Sequence, residues 1–264
     1  DGSKDTYGLG QLHVSALTAY RFFRWLQDQY HHPRAPLACC WLLLSPTEAE
    51  KNVEPAIPNT PAPTFEACRV AIGQWFRKMT ELAPAYLQQS RSMFFFSGHG
   101  CEVTPAKQIL LPSDYLEGDV ALINRALSTD NLYTGLWALP VPEHFLFLDA
   151  CRNDNEDLRA ASPLGTEVLN VSGPRYRPLP GVISPIVYAT GPGAAAWEPT
   201  DPRNGSSIFG KALLEGLEGR PNMQPISDNN KLWITFRGLE DFLDPRVSDL
   251  LIAAGTQVKQ PVMI

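Results

Sequence analysis

Apolar residues along this chain follow two periods, and the alternation between them sets out the fold. From Gln11 to Tyr30, Leu12, Ala16, Ala19, Phe23, Leu26 and Tyr30 recur at steps of three and four, the spacing of one helix face. His31-His32-Pro33 ends that helix. Leu37 to Leu44 (LACCWLLL) is a continuous apolar run, which reads as a buried strand stopped by Ser45-Pro46. The stretch to Pro63 carries five prolines and reads as a loop. Thr64 then predicts an N-cap for a second helix, with Phe65, Cys68, Ile72, Trp75, Met79 and Leu82 on one face and Glu66 at the positive end of its dipole.

Short apolar runs follow at Met93 to Phe96, Gln108 to Leu111, Phe145 to Asp149 and Val182 to Ala189, each of strand length. Between and after them the pattern predicts helices over about Val120 to Leu127, over a segment capped by Ser206 or Ser207 (Phe209, Leu213, Leu217), and over Leu239 to Leu251 with a break at Pro245. Strands alternating with helices predict an α/β fold, a mostly parallel sheet flanked by helices on both faces. No repeat or composition shift divides residues 1–264, which read as a single domain; residues 152–180 form a proline- and arginine-containing loop.

The 264 residues, 44% of them hydrophobic, are enough for a substantial core. A formal charge of −6 with no Lys/Arg cluster argues against a nucleic-acid partner. No run approaches the roughly 20 apolar residues needed to span a bilayer, so no membrane partner is expected. Five cysteines without framework spacing point to free thiols and a cytoplasmic location. The chain opens on Asp1, with no secretory signal before Tyr7, and reads as a processed or excerpted domain.

Two of the predicted strands end in reactive chemistry. Phe94-Phe95-Phe96 runs into Ser97-Gly98-His99-Gly100, and 52 positions beyond His99 the Phe145 to Leu148 run reaches Asp149-Ala150-Cys151-Arg152. An imidazole and a thiol at the carboxyl ends of two buried strands sit where open parallel sheets build active sites. His99 can take the thiol proton and leave Cys151 as an attacking thiolate. Asp149, two residues earlier on the strand, points to the same side as Cys151. A carboxylate there hinders the thiolate unless a cation is present, and a substrate can supply that cation. Cys101 reads as a bystander. Neither the paired histidines nor the paired cysteines have metal-ligand spacing, and Gly191-Pro192-Gly193 lacks the companions of a phosphate loop, so no metal or cofactor is expected.

These residues resemble the caspase-like cysteine peptidases, and the Asp-Ala-Cys string is closer to bacterial caspase homologues, metacaspases and paracaspases than to animal caspases. Val187 to Gly193 with Trp197-Glu198, the Phe209-Gly210-Lys211-Ala212-Leu213-Leu214 segment and the first helix extend the resemblance over roughly Leu12 to Leu217. It implies an endopeptidase with a Cys-His dyad acting on polypeptide substrates, with oxyanion donors at the Gly100 and Cys151 amides. Asp149 and Glu198 would line a pocket for Arg or Lys, with Thr18 standing where paracaspases have a third acid. Trp197 is either a wall beside the cleaved residue or a core residue. The resemblance further implies a role in bacterial defence or programmed death, regulation by a sensor protein or fused domain, and an interdomain-linker character for residues 152–180. Arg159 and Arg175 are the candidate self-cleavage positions there, since Pro178 protects the bond after Arg177. The family begins with an apolar strand ahead of the first helix, and Asp1 to Gly10 offers none, so that strand is absent or trimmed. Two other readings are a catalytically inactive scaffold of the same fold and a flavodoxin-like small-molecule binder.

Overall fold

The computed structural model describes residues 9–104, 107–115, 125–152, 165–169, 180–220, 223, 225–228 and 231–264. The Phe-rich run becomes β1 (Arg91–Ser97). After the hairpin β2 (Gly100–Thr104) and β3 (Lys107–Leu110), with β4 (Leu127–Ser128) at its side, the chain returns to the main sheet as β5 (Glu143–Asp149) and then β6 (Ile186–Tyr188). Strands β1, β5 and β6 are parallel neighbours in that order, and β2, β3 and β4 form a separate antiparallel sheet.

Strand alternation divides the core in two. Phe95 and Phe147 join the layer built by helix α1 (Ser15–Asp28), a later helix α6 (Ile208–Leu217) and the last helix α7 (Phe236–Ala253). Phe94, Phe96, Leu146 and Leu148 face the opposite layer, α3 (Phe65–Thr80) and α5 (Thr129–Trp137). The parallel sheet is therefore covered on both faces, as the periodicity predicts. Phe22 of α1 stacks on Phe95 with ring centres 4.5 Å apart, and Trp75 of α3 lies 6.1 Å from Phe94.

Local chemistry accounts for the helix starts. Thr64 Oγ1 accepts from the Ala67 amide and Ser207 Oγ from the Gly210 amide, both as expected from an N-cap. Three helices escape the periodicity: α5, capped by Ser128, the four-residue α4 (Pro84–Leu87), and the short α2 (Glu48–Val53), whose Thr47 and Glu50 form a capping box. Glu50 is nearly inaccessible and also accepts the Leu17 amide, so one carboxylate ties together the starts of α1 and α2.

Four expectations need correction. Leu37 to Leu44 is not a strand: among the described residues it has no ladder partner, and Leu37 to Cys40 are exposed. The apolar face assigned to α1 is only half of its contact surface, because Leu17, Phe22 and Trp25 are buried as well. Helix α7 continues through Pro245, its missing hydrogen bond being offset by burial of Leu243, Val247, Leu250 and Leu251 on one side. Of the helix expected over Val120 to Leu127, residues 120–124 lie outside the described residues and Leu127 is in β4. Most of the 152–180 loop, including Arg159 and Arg175, also lies outside them. Among the described residues no helix is long and apolar enough to cross a membrane.

Candidate active site

The β1/β5 register explains the 52-residue spacing. Every pair from Arg91↔Glu143 to Ser97↔Asp149 differs by that number, so His99 and Cys151 each follow a paired residue by two positions. Both side chains leave adjacent strands at the same edge. The ladder continues one step past the strands, with the Gly98 amide donating to the Asp149 carbonyl at 3.1 Å. Gly100 presses on the Cys151 segment so closely that a Cβ there would stand 2.9 Å from both the Ala150 Cβ and the Cys151 carbonyl oxygen. The Gln108 amide nitrogen donates to that same carbonyl at 2.8 Å.

The His99 tautomer is fixed by a backbone group. Nε2 lies 2.7 Å from the Gly10 carbonyl oxygen, which can only accept, so Nε2 carries the proton and Nδ1 holds the lone pair. Burial pulls the His99 pKa below its usual value, partly opposed by the Gly10 hydrogen bond. Burial pushes the Cys151 thiol up, and the Asp149 and Glu198 carboxylates add to that. Both shifts favour the neutral thiol and imidazole at rest, with the proton moving only when a substrate is attacked. Cys151 Sγ sits 3.8 Å from the Ala196 carbonyl.

Asp149 lies at the bottom of this edge, 5% exposed, and accepts hydroxyl hydrogens from Ser97 (2.8 Å) and Ser207 (2.6 Å), both on Oδ2. Burial raises its pKa to about 6, against the pull of the two serines. Among the described residues no cation pairs with it. Thr18, fully buried in α1, accepts the Ser207 amide and so fixes the serine that holds Asp149. Glu198 accepts the His13 amide at 2.7 Å, and its pKa is raised by burial, with Asp149 adding to the rise. Trp197 is half-buried against the α1/α6/α7 core, its amide held by Gln260 at 2.8 Å.

Cys101 is buried in β2 and lies near enough to Cys151 to add to the upward shift of its thiol. Three contributors have little or no sequence signature. The Gly10 carbonyl is a backbone atom at no recognisable motif. Ser207 is visible only as a helix cap, though its hydroxyl also serves Asp149. Glu102 is almost fully buried; it accepts the Gly193 amide at 2.8 Å and lies 3.9 Å from Arg152, whose guanidinium sits 4.3 Å from the Tyr188 ring centre. A charged residue in the alternating β2 strand was the available signal.

A cysteine and a histidine each two residues past paired positions, at one carboxyl edge of neighbouring parallel strands, fit the class of cysteine hydrolases. Residues 74–233 match the caspase domain family, and the chain belongs to it. It is 31% identical over 202 residues to a probable protease from a Desulfuromonadales bacterium, a match covering 73% of this chain and 21% of that protein. The chain thus spans about a fifth of the length of that curated relative. The crystal structure of caspase-1 from Spodoptera frugiperda is similar with a TM-score of 0.46 and 17% identity, over 81% of this chain and 75% of that one.

Proposed function

We propose that the protein is an endopeptidase that cleaves after Arg or Lys, with Cys151 as nucleophile and His99 as base. The observation that carries the specificity is Asp149, a buried carboxylate below the nucleophile, held by two hydroxyls and lacking a cation among the described residues. With both serines on Oδ2, Oδ1 is the oxygen left for a substrate guanidinium or ammonium, and Glu198 adds a second negative charge.

In the reaction, His99 Nδ1 takes the Cys151 proton as sulfur attacks the scissile carbonyl carbon. The Gly100 and Cys151 amides are the proposed donors to the oxyanion. His99 returns its proton to the departing amine, leaving a thioester that water hydrolyses with His99 again as base. Gly10 holds the imidazolium through Nε2 while it exists. The Asp149-Ala150-Cys151 string, similar to that of bacterial caspase homologues, and the relative from a Desulfuromonadales bacterium support a role in defence or programmed death under the control of a sensor protein or fused domain.

Fluorogenic peptides differing only at the residue before the cleaved bond test the reading. Arg and Lys substrates should exceed Asp in kcat/KM by at least roughly a hundredfold, since a like-charge contact costs several kcal/mol. Efficient cleavage after Asp would sink it.

A further inference from the structure

After α7 the chain runs over the surface, and of residues 252–264 Gln260 alone is buried. It is 3% exposed, whereas Met263 and Val258 are each 40% exposed, the reverse of what side-chain polarity dictates. Both ends of the buried amide are used. Oε1 accepts the Trp197 amide at 2.8 Å, and Nε2 donates to the Ala189 carbonyl at 3.0 Å. One side chain thus ties together the two ends of the loop 189–197. What that loop brings to the active site lies between or just after those ends. The Ala196 carbonyl faces Cys151 Sγ at 3.8 Å, the Ala194 carbonyl accepts the Arg152 amide at 2.9 Å, and Glu198 follows Trp197. Gln260 is itself held in place. Met263 and Tyr188 exchange backbone hydrogen bonds at 2.8 and 3.2 Å on the edge of β6 that faces away from β5. The Val262 amide donates to Asp244 of α7 at 2.9 Å, and Pro261 keeps the residue before it extended.

We propose that Gln260 is a positioning residue for peptide hydrolysis, holding the loop 189–197 so that Glu198 and the Ala196 carbonyl stand beside Asp149 and Cys151; this rests on the roles proposed above for Cys151, Asp149 and Glu198. The loop cannot anchor itself. From Gly191 to Ala196 it reads Gly-Pro-Gly-Ala-Ala-Ala, and none of those side chains forms a hydrogen bond. Its anchors therefore come from outside: Glu102 on the Gly193 amide, Arg152 on the inner side and Gln260 on both ends. A glutamine suits the last task because one planar group supplies an acceptor and a donor, where a carboxylate offers acceptors alone and an apolar side chain neither. Without it the Trp197 amide and the Ala189 carbonyl must find other partners, and the loop moves with them. Pro261 adds to the fit, since its Cγ lies 3.2 Å from where a Gly191 Cβ would stand.

Two variants test it. Gln260→Met keeps the length of the side chain and loses both bonds. Gln260→Glu keeps the shape; its carboxylate cannot donate to Ala189, whereas its neutral acid can accept from Trp197 and donate to Ala189 again. Kinetics are read on whichever of the Arg, Lys and Asp fluorogenic peptides the wild type cleaves best, as the ratio of variant to wild type, at a temperature where circular dichroism shows every protein folded. Gln260→Met should lose at least about tenfold in kcat/KM, mostly through KM, while alkylation of Cys151 by iodoacetamide, which needs no substrate pocket, changes less than about twofold. Gln260→Glu should be as impaired at about pH 8, and its ratio to wild type should rise at least about fivefold by about pH 5.5, because burial favours the neutral acid. Lys259 beside it in the chain, Asp244 on α7 and Glu198 beyond Trp197 are common to all the proteins, so the ratio cancels their titration. Unchanged kcat/KM in Gln260→Met overturns the proposal, as does a ratio for Gln260→Glu that does not move with pH. Equal losses in catalysis and in alkylation would make Gln260 a structural residue and overturn it as well. A wild type that prefers Asp peptides overturns the proposed specificity, while the ratios read on those peptides still decide the role of Gln260.

Discussion

Asp149→Asn should make the folded protein more stable at neutral pH while removing cleavage after Arg. In the folded state Asp149 keeps its proton to about pH 6, against 3.8 as the ordinary value. Between those limits the folded protein binds more protons than the unfolded one, so stability falls as pH rises, by about 1.4 kcal/mol per unit and about 3 kcal/mol in all. Asn is close in shape, and its Oδ1 in the place of the Asp149 Oδ2 can accept both serine hydroxyls, so the exchange of hydrogen bonds costs no more than about 1 kcal/mol. The variant should thus gain about 2–3 kcal/mol at pH 7.5 and nothing at pH 4.

His144 makes the shape of the curve diagnostic. It is fully buried, Nδ1 is 2.7 Å from Ser92 Oγ, and desolvation lowers its pKa from 6.5 to about 4. Here the unfolded state binds more protons, so its contribution is complete above pH 6.5 and is lost as pH falls toward 4, by about 3 kcal/mol. The two slopes oppose each other between pH 4 and 6 and nearly cancel in the wild type. Urea unfolding at half-unit pH intervals should therefore show a flat contribution from the pair in the wild type and an uncovered rise of about 1.4 kcal/mol per unit in Asp149→Asn. A variant no more stable than wild type at pH 7.5, or equally advantaged at pH 4, would refute the reasoning. The activity of wild type on Arg substrates should also decline below about pH 6, as Asp149 takes up its proton and ceases to attract the cation.

Three further outcomes are expected. Cys151→Ala and His99→Ala should each fold with near-native melting temperature and lose peptidase activity by at least roughly a thousandfold; substantial activity in purified Cys151→Ala would mean another nucleophile. Glu102→Gln should destabilise by about 1–3 kcal/mol, because the Gly193 amide loses a charged acceptor and buried Arg152 loses the carboxylate 3.9 Å away, and should raise KM for Arg peptides more than it lowers kcat, because the Gly193 loop leading to Glu198 is held less firmly; unchanged chemical denaturation would count against the ion pair. Intact-mass measurement after prolonged incubation should reveal fragments ending at Arg159 or Arg175 in the active protein and none in Cys151→Ala, and an unchanged mass in a sample that cleaves peptides would rule out self-processing there.

What could be read in the sequence was what strand periodicity transmits. Phe94 to Phe96 and Phe145 to Leu148 are continuous apolar runs because parallel strands are buried on both faces, and their end residues share one sheet edge because parallel pairing preserves a constant offset. That offset puts Ser97 opposite Asp149, so His99 and Cys151, 52 apart, each follow two residues later at the same sheet edge. Alternation likewise put Asp149 on the side of Cys151. Backbone chemistry carried no such trace: any residue at position 10 has a carbonyl, so the group that sets the His99 tautomer was invisible. Ser207 was legible as a helix cap, but its second bond to Asp149 depends on α6 beginning next to the end of β5, a tertiary fact.

The failure at Leu37 to Leu44 has a different cause. Its composition is that of a strand buried on both sides, and local propensity was read correctly; what is missing is a neighbour. A strand is stable only through its ladder, and here the nearest edge, β1, stands across an apolar slot. Ala19 and Phe23 of α1 pack with Leu42, Leu44 and Ile57, while Phe22 and Trp25 pack on the sheet core, so the helix carries two apolar faces where its three-and-four periodicity marked one.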